Sequence, residues 1–330
     1  MSESRTLLTE SANRLFADLA ADPKPEFAKA WAQVSENGFP SLLVPESEGG
    51  FGGDWLDAAA VLRLSGFHAL ALPVAESILA NRLLSEAGLT VPDELALLAS
   101  RATGRLVDGR FTGTAQVAWG RHAASIVVVV DGMLMHLETA KALLKQGASP
   151  ADEPRDALTF ENAPFESAPS DADPFALGAF ARTAAIAGAL DGALERSIAY
   201  ANERVQFGKP IGKFQAVQQS LAVFAEEAAA VNCAAQAAAR ALDHGDAAFE
   251  IAAAKLRADR AAQTGAALAH QVHGAIGFTQ EYGLHRWTRR LLAWACEYGA
   301  EAHWAQTLGA AVAQIGAERL WEEITRRADR

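Results

Sequence analysis

Cysteine is scarce in this chain of 330 residues: there are two, Cys233 and Cys296. They lack the spacing of a zinc site or of a Cys-x-x-Cys redox pair, which fits a reducing cytoplasm and two buried, inert thiols. Positive charge is also short, with 29 lysines and arginines against 40 aspartates and glutamates and a formal net charge of −11. That balance offers no basic stripe for nucleic acid and no polybasic contact for a membrane surface. Long apolar runs are missing too. The strongest is Ile126–Val130, far below the roughly 20 residues of a spanning helix. The opening MSESRTLLTESANRLF is polar, without the apolar segment of a secretory signal. What is present is core-forming material: half of the residues are hydrophobic and 21% are charged. At about 100–200 residues per domain, that is enough for two or three domains of a soluble, cytoplasmic protein.

The pattern along the chain changes twice. Up to about residue 98 it is helical, with Leu7, Leu8, Ala12, Leu15, Phe16 and Leu19 at the spacing of one helix face. A Gly-dense loop, LVPESEGGFGGDW, interrupts at 43–55, and helical pattern then resumes as far as Gly88, a C-cap residue. Residues 99–172 read as a small β domain. Asp108-Gly109 and Asp131-Gly132 each sit between β-favouring runs, the strongest short hairpin signal. Residues 147–156 read as loop, and ESAPSDADP at 166–174 as a linker. From 173 to 330 the chain is alanine-rich and helical. Val217, Leu221, Phe224, Ala228, Val231, Ala235, Ala238 and Leu242 recur four and three apart, an apolar seam suited to a helix bundle. Further helices are expected over about 247–272 and 284–296.

Two segments carry candidate chemistry. In ERVQFGKPIGKFQ, a helix should end near Arg204, turn at Gly208-Lys209-Pro210 and restart near Phe214. Arg204 and Lys209 beside a helix start suit an anion; the same residues also describe an ordinary inter-helix turn with solvated cations. In HQVHGAIGFTQEYG, Gly274 and Gly277 make a tight, accessible backbone next to His270, Gln271 and His273. His270, His273 and His285 read as capping or surface residues. Glu301 and His303 lack the paired Glu-x-x-His spacing of a di-iron bundle, so no metal is expected.

Taken together, these segments resemble the signatures of the acyl-CoA dehydrogenase family: Arg-x-Gln-Phe-Gly-Lys-Pro-Ile-x-x-Phe-Gln at 204–215 and Gln-x-His-Gly-Ala-x-Gly-Phe-Thr-x-Glu-Tyr at 271–282. Val44-Pro45-Glu46 with Gly49, Gly50 and Gly52, and Leu72-Pro73-x-Ala75-Glu76, resemble the family's N-terminal elements. The resemblance implies a helical N-terminal domain (1–98), an abbreviated middle β domain (99–172) and a C-terminal four-helix bundle (173–330), a mainly α fold. It also implies FAD at a shared subunit interface and 2,3-desaturation of an acyl-CoA thioester, with an electron-transfer flavoprotein-type acceptor. On this likeness Arg204, with Gln206, Phe207 and Gln215 beside it, meets the cofactor diphosphate. A partner subunit supplies the second motif, here Gln271 and Gly274.

The likeness breaks at the catalytic base. Family members place a glutamate after the second signature, directly before a glycine; here that position is Tyr298, followed by Gly299, with Glu297 one residue early. On a helix one residue is about 100° of rotation, so Glu297 reads either as a solvated helix carboxylate or as a displaced base. Relatives with the base on the first helix of the bundle place it before an arginine; here Ala181 precedes Arg182. The middle domain lacks the family's flavin-touching Trp-Ile-Ser/Thr element. Trp119 lies near that place, either stacked on a flavin or in the β core. The expectation is therefore a base-lacking subunit of a heterotetrameric flavoenzyme for a ring-bearing or bulky acyl-CoA. A self-sufficient homomeric dehydrogenase using Glu297 and a flavin-free scaffold are the alternatives.

Overall fold

The computed structural model describes residues 3–22 and 25–328. Helices α1 (Glu3–Ala21), α2 (Phe27–Glu36), α3 (Trp55–Phe67) and α4 (Val74–Glu86) come first. Eight strands follow: β1 (Ala96–Leu98), β2 (Arg101–Val107), β3 (Arg110–Ala118), β4 (Ser125–Val130), β5 (Met133–Glu138), β6 (Ala142–Lys145), β7 (Arg155–Ala163) and β8 (Glu166–Pro169). The chain then returns to helix in α5 (Pro174–Glu203) and, after the short strands β9 (Val205–Gln206) and β10 (Lys209–Pro210), continues with α6 (Gln215–Asp243) and α7 (Ala248–His273). It finishes with α8 (His285–Trp294), α9 (Glu301–Ile315) and α10 (Ala317–Ala328). The helical–β–helical order matches the sequence pattern. No helix among the described residues is long and apolar enough to cross a membrane.

Two compact units emerge. One contains Ala17–Ala58 and Ala71–Gly178. Its two four-stranded sheets run in the orders β1-β4-β5-β8 and β2-β3-β7-β6. Both Asp-Gly pairs form hairpin turns, with φ of 50° and 71° at Asp108 and Gly109 and of 50° and 76° at Asp131 and Gly132; two successive positive φ values match the right-handed strand twist. Phe111, Val117, Ile126, Val128, Leu137, Leu158 and Phe160 fill the core. Asp156 is fully buried there, and the Arg121 guanidinium grips it, with Nη2 donating to Oδ1 at 2.6 Å. The backbone N–H groups of Arg121 and Gly147 donate to the same carboxylate. The stretch 166–174, expected as a linker, instead begins with β8, which pairs antiparallel with β5 from Met133↔Pro169 to His136↔Glu166. A neighbouring edge with free backbone groups recruits even a Pro-containing strand.

The other unit contains α1 up to Phe16, Ala59–Leu70 and the chain from Ala179 onward. Here α3 and α5 touch backbone to backbone. A Cβ on Gly66 would lie 1.9 Å from the Ala185 carbonyl oxygen, and one on Gly188 would lie 1.7 Å from that of Arg63. Arg63 crosses this contact, donating from Nη2 to Asp191 at 2.6 Å and from Nε to Asn232 at 2.7 Å. The α6 seam is buried at Phe224, Ala228, Val231, Ala235 and Ala238, while Val217, Leu221 and Leu242 at its ends are half-buried. On α1 the expected apolar face is real from Ala12 to Leu19, but Leu7 is 62% exposed. Both cysteines are free and exposed, not buried; Cys233 is on the outward side of α6, and Cys296 lies in the turn that follows α8.

Candidate functional site

The first motif closes a loop between two long helices. After α5, Arg204 leads into the β9–β10 hairpin, in which Gln206 pairs with Lys209 and Val205 with Pro210. Phe207 and Gly208 make the turn with φ of 51° and 79°, and Phe207 is 91% exposed. The Ile211 N–H donates to the Arg204 carbonyl at 2.8 Å and returns the chain to α6. The Lys209 ammonium lies over the Phe214 ring, 4.3 Å from its centroid.

The second motif ends α7. Gly274 has φ 64° and ψ −144°, a conformation close to the region essentially reserved for glycine. A Cβ there would meet nothing within 4 Å, so the space above this backbone is open. The two motifs meet within one chain, lining a pocket of about 490 Å³, a size typical of ligand sites. Arg204, Gln206, Phe207, Gln271 and Gly274 are on its wall. Gln215 begins α6 but is not part of the wall, and Trp119 belongs to the other unit. There Trp119 closes β3 with φ 62° and stacks on Phe27 with 5.6 Å between ring centroids.

The pocket also takes in Tyr200, which neither motif contains, and His273 of the second motif. His273 was expected to cap or sit on the surface; it is 3% exposed and stacks on Tyr200 at 4.6 Å. Its Nδ1 lies 2.8 Å from the Ala269 carbonyl oxygen, an arrangement that requires the proton on Nδ1. Burial lowers its pKa, against the pull of that carbonyl, and His270 adds to the lowering. His273 is therefore a neutral aromatic wall. Its recurrence two residues after Gln271 was visible, but its burial depends on Tyr200, 73 positions away in the chain.

A second cluster surrounds the expected base positions. Helix α8 stops at Trp294, and residues 295–298 form a turn, so the expected helix to 296 is too long and the rotation argument for Glu297 does not apply. Nor is Glu297 a solvated helix carboxylate. Its Oε2 accepts from Arg182 Nε at 2.6 Å, and the two side chains are 20% and 7% exposed. The guanidinium carbon lies 5.8 Å from the Trp294 ring centroid and 5.7 Å from that of Tyr298. Tyr298 and Ala181 are both buried. The two places where the sequence looked for a base thus adjoin one ion pair. No group of three or more potential metal ligands occurs among the described residues.

The family description "Acyl-CoA dehydrogenase, C-terminal domain" matches residues 172–313. The chain is 30% identical over 299 residues to the acyl-CoA dehydrogenase IpdE2 of Mycobacterium tuberculosis, covering 87% of this chain and 91% of that protein. It is 29% identical over 315 residues to the acyl-CoA dehydrogenase FadE34 of the same organism, covering 88% of this chain and 44% of that longer protein. In fold it is similar to a chain of the ChsE4-ChsE5 complex from Mycobacterium tuberculosis, with a TM-score of 0.87 at 22% identity, covering 96% of this chain and 99% of that one. A chain of the Tcur3481-Tcur3483 steroid ACAD gives a TM-score of 0.86 at 23% identity, covering 94% and 98%. With 30% identity sustained over nearly the full length of both sequences, the chain belongs to the acyl-CoA dehydrogenase family.

Proposed function

We propose that this chain is the FAD-holding, base-lacking subunit of a heteromeric acyl-CoA dehydrogenase that desaturates an acyl-CoA thioester between C2 and C3. The single observation that carries the base-lacking part is the Arg182–Glu297 ion pair at 2.6 Å. A proton-abstracting carboxylate works in a dry pocket where desolvation keeps it basic. Here the charge-assisted bond from Arg182 Nε to Glu297 Oε2 orients the carboxylate onto the guanidinium. Tyr298 and Ala181, in the usual base positions, have no carboxylate at all.

The pocket residues fit a dinucleotide. Arg204 has neither an ion pair nor a side-chain hydrogen bond among the described residues, which leaves its planar fork available to a diphosphate. Gln206 and Gln271 offer amide donors from opposite segments, and the open space over Gly274 lets a ligand approach backbone closely. When bound, FAD supplies the hydride acceptor for the substrate β-carbon. Arg204 would hold the diphosphate charge, the two glutamines would orient it, and the His273–Tyr200 stack would exclude water from one wall. The α-proton would leave to a carboxylate of the second subunit.

Support for a partner comes from the likeness to chains of two-component assemblies, ChsE4-ChsE5 and Tcur3481-Tcur3483. The steroid assignment of the latter also motivates a ring-bearing or bulky acyl group. An electron-transfer flavoprotein-type acceptor would reoxidise the flavin. The two free cysteines support a reducing compartment such as the cytoplasm.

Purifying the chain alone and with co-expressed full-length family members, then recording flavin absorbance and acyl-CoA turnover with an artificial electron acceptor, tests this reading. Flavin and turnover that depend on a second polypeptide are expected. Turnover by the chain alone that is lost on Glu297→Gln would overturn it, and absence of flavin from both preparations would leave a scaffold.

A further inference from the structure

The turn that carries Glu297 is clamped from beneath by a buried ion pair that the proposed chemistry does not use. Lys255 and Asp259 are one helical turn apart on α7, with side chains 0% and 1% exposed. Lys255 Nζ donates to Asp259 Oδ1 at 2.6 Å, to the Gly299 carbonyl at 2.9 Å and to the Ala295 carbonyl at 3.3 Å. An ammonium has three protons, and here each has an acceptor. The two carbonyls bracket Cys296, Glu297 and Tyr298. From α9, Trp304 Nε1 donates to the Tyr298 carbonyl at 2.9 Å. The turn needs such support, because Tyr298 is a bulky residue at φ 52°, followed by Gly299 at φ 86°.

We propose that Lys255, oriented by Asp259, is the positioning residue of the 295–299 turn and thereby sets where Glu297 meets Arg182. This rests on the reading of that turn as the family's base-bearing segment. The pair is a costly way to gain stability alone, since well-packed hydrophobic residues commonly do as well as a buried ion pair. Burial drives Lys255 down and Asp259 up to about 7, each opposed by the attraction of the other; Cys296 and Glu297 face Lys255, and Glu301 faces Asp259. What hydrophobic residues cannot supply is a donor to two carbonyls four residues apart.

The backbone of the turn is its own reporter. The N–H groups of Ala295, Cys296 and Glu297 donate to the carbonyls of Leu291, Ala293 and Trp294, so their exchange with deuterated solvent requires this segment to open. Exchange in the peptide that covers 295–299, and in an α6 peptide as the control, would be read by mass spectrometry in the wild-type full chain and in Lys255→Met, Asp259→Asn and the double variant Lys255→Met with Asp259→Leu. Loss of two bonds from a charged donor should raise exchange in the turn at least about tenfold, with α6 unchanged. Asp259→Asn should have a smaller effect, since Lys255 keeps both carbonyls. The double variant has no unpaired buried charge, so it preserves the test if Lys255→Met alone does not fold, and its turn should still exchange fast. Unchanged exchange in the turn, or equal acceleration in both peptides, would overturn the proposal. No flavin, acyl-CoA or partner is present in the assay, so its outcome is independent of which subunit supplies the base.

Discussion

Removing the Glu297 carboxylate separates a structural ion pair from a catalytic base. The bond to Arg182 Nε is 2.6 Å long, between side chains that are 7% and 20% exposed. Deleting one member of a fully buried pair costs about 3–5 kcal/mol. A Glu297 that is one-fifth exposed allows some rehydration of the guanidinium, so Glu297→Ala should cost about 2–3 kcal/mol. Glu297→Gln keeps an oxygen to accept from Arg182 and gives up only the charge assistance, about 1 kcal/mol. Urea midpoints at pH 7 should therefore fall in the order wild type, Gln, Ala, with equal slopes. Turnover of the complex reconstituted with its partner should fall less than about threefold for Glu297→Gln, since no proton passes through this residue. The reasoning is refuted if Glu297→Gln leaves the midpoint unchanged and abolishes turnover, the signature of a base.

Arg204→Ala should weaken FAD binding about 10–100-fold through loss of a charge-assisted contact while leaving the melting temperature of the apo chain in place, as titration by flavin fluorescence would read. Gly188→Ala should destabilise by at least about 3 kcal/mol, because its Cβ would lie 1.7 Å from the Arg63 carbonyl oxygen, backbone that cannot yield without separating α3 from α5; a denaturation midpoint within error of wild type would contradict this contact. For Asp156, burial pushes the carboxyl up, but the Arg121 side chain and the N–H groups of Arg121 and Gly147 outweigh it and hold the pKa below its ordinary value. A depressed folded pKa means that this stabilisation is complete above the unfolded value, about 3.9, and is lost as pH falls through the folded one. Asp156→Asn should then lower stability at neutral pH and flatten its fall below about pH 4, measured by urea unfolding across that range.

Features governed by near neighbours were legible in the sequence. The two Asp-Gly turns need only a local preference for positive φ, and both form where expected. The α6 seam was readable because a residue's face on a helix follows from its position, and its central residues are the buried ones. The motif segments around Arg204 and Gln271 could be named, as could the helix order. Glu297 shows where such reading stops. It lies on a short segment after α8, and helical continuation was the simplest extrapolation; beyond α8 the carbonyls of Ala295, Tyr298 and Gly299 are instead bonded by Lys255 and Trp304, which are distant in sequence. The same long-range packing makes His273 a buried wall and leaves both cysteines outside.

By itself, the sequence determined the order of helices and strands, the acidic balance and the two segments that line the pocket, since hydrophobic period, turn chemistry and charge are properties of contiguous residues. Only the tertiary structure decided that those segments share one pocket on one chain, and that Arg182 and Glu297, 115 positions apart, are bonded to each other. Whether a carboxylate is free, solvated or paired depends on what folding brings within hydrogen-bond distance, and no spacing along the chain encodes that distance.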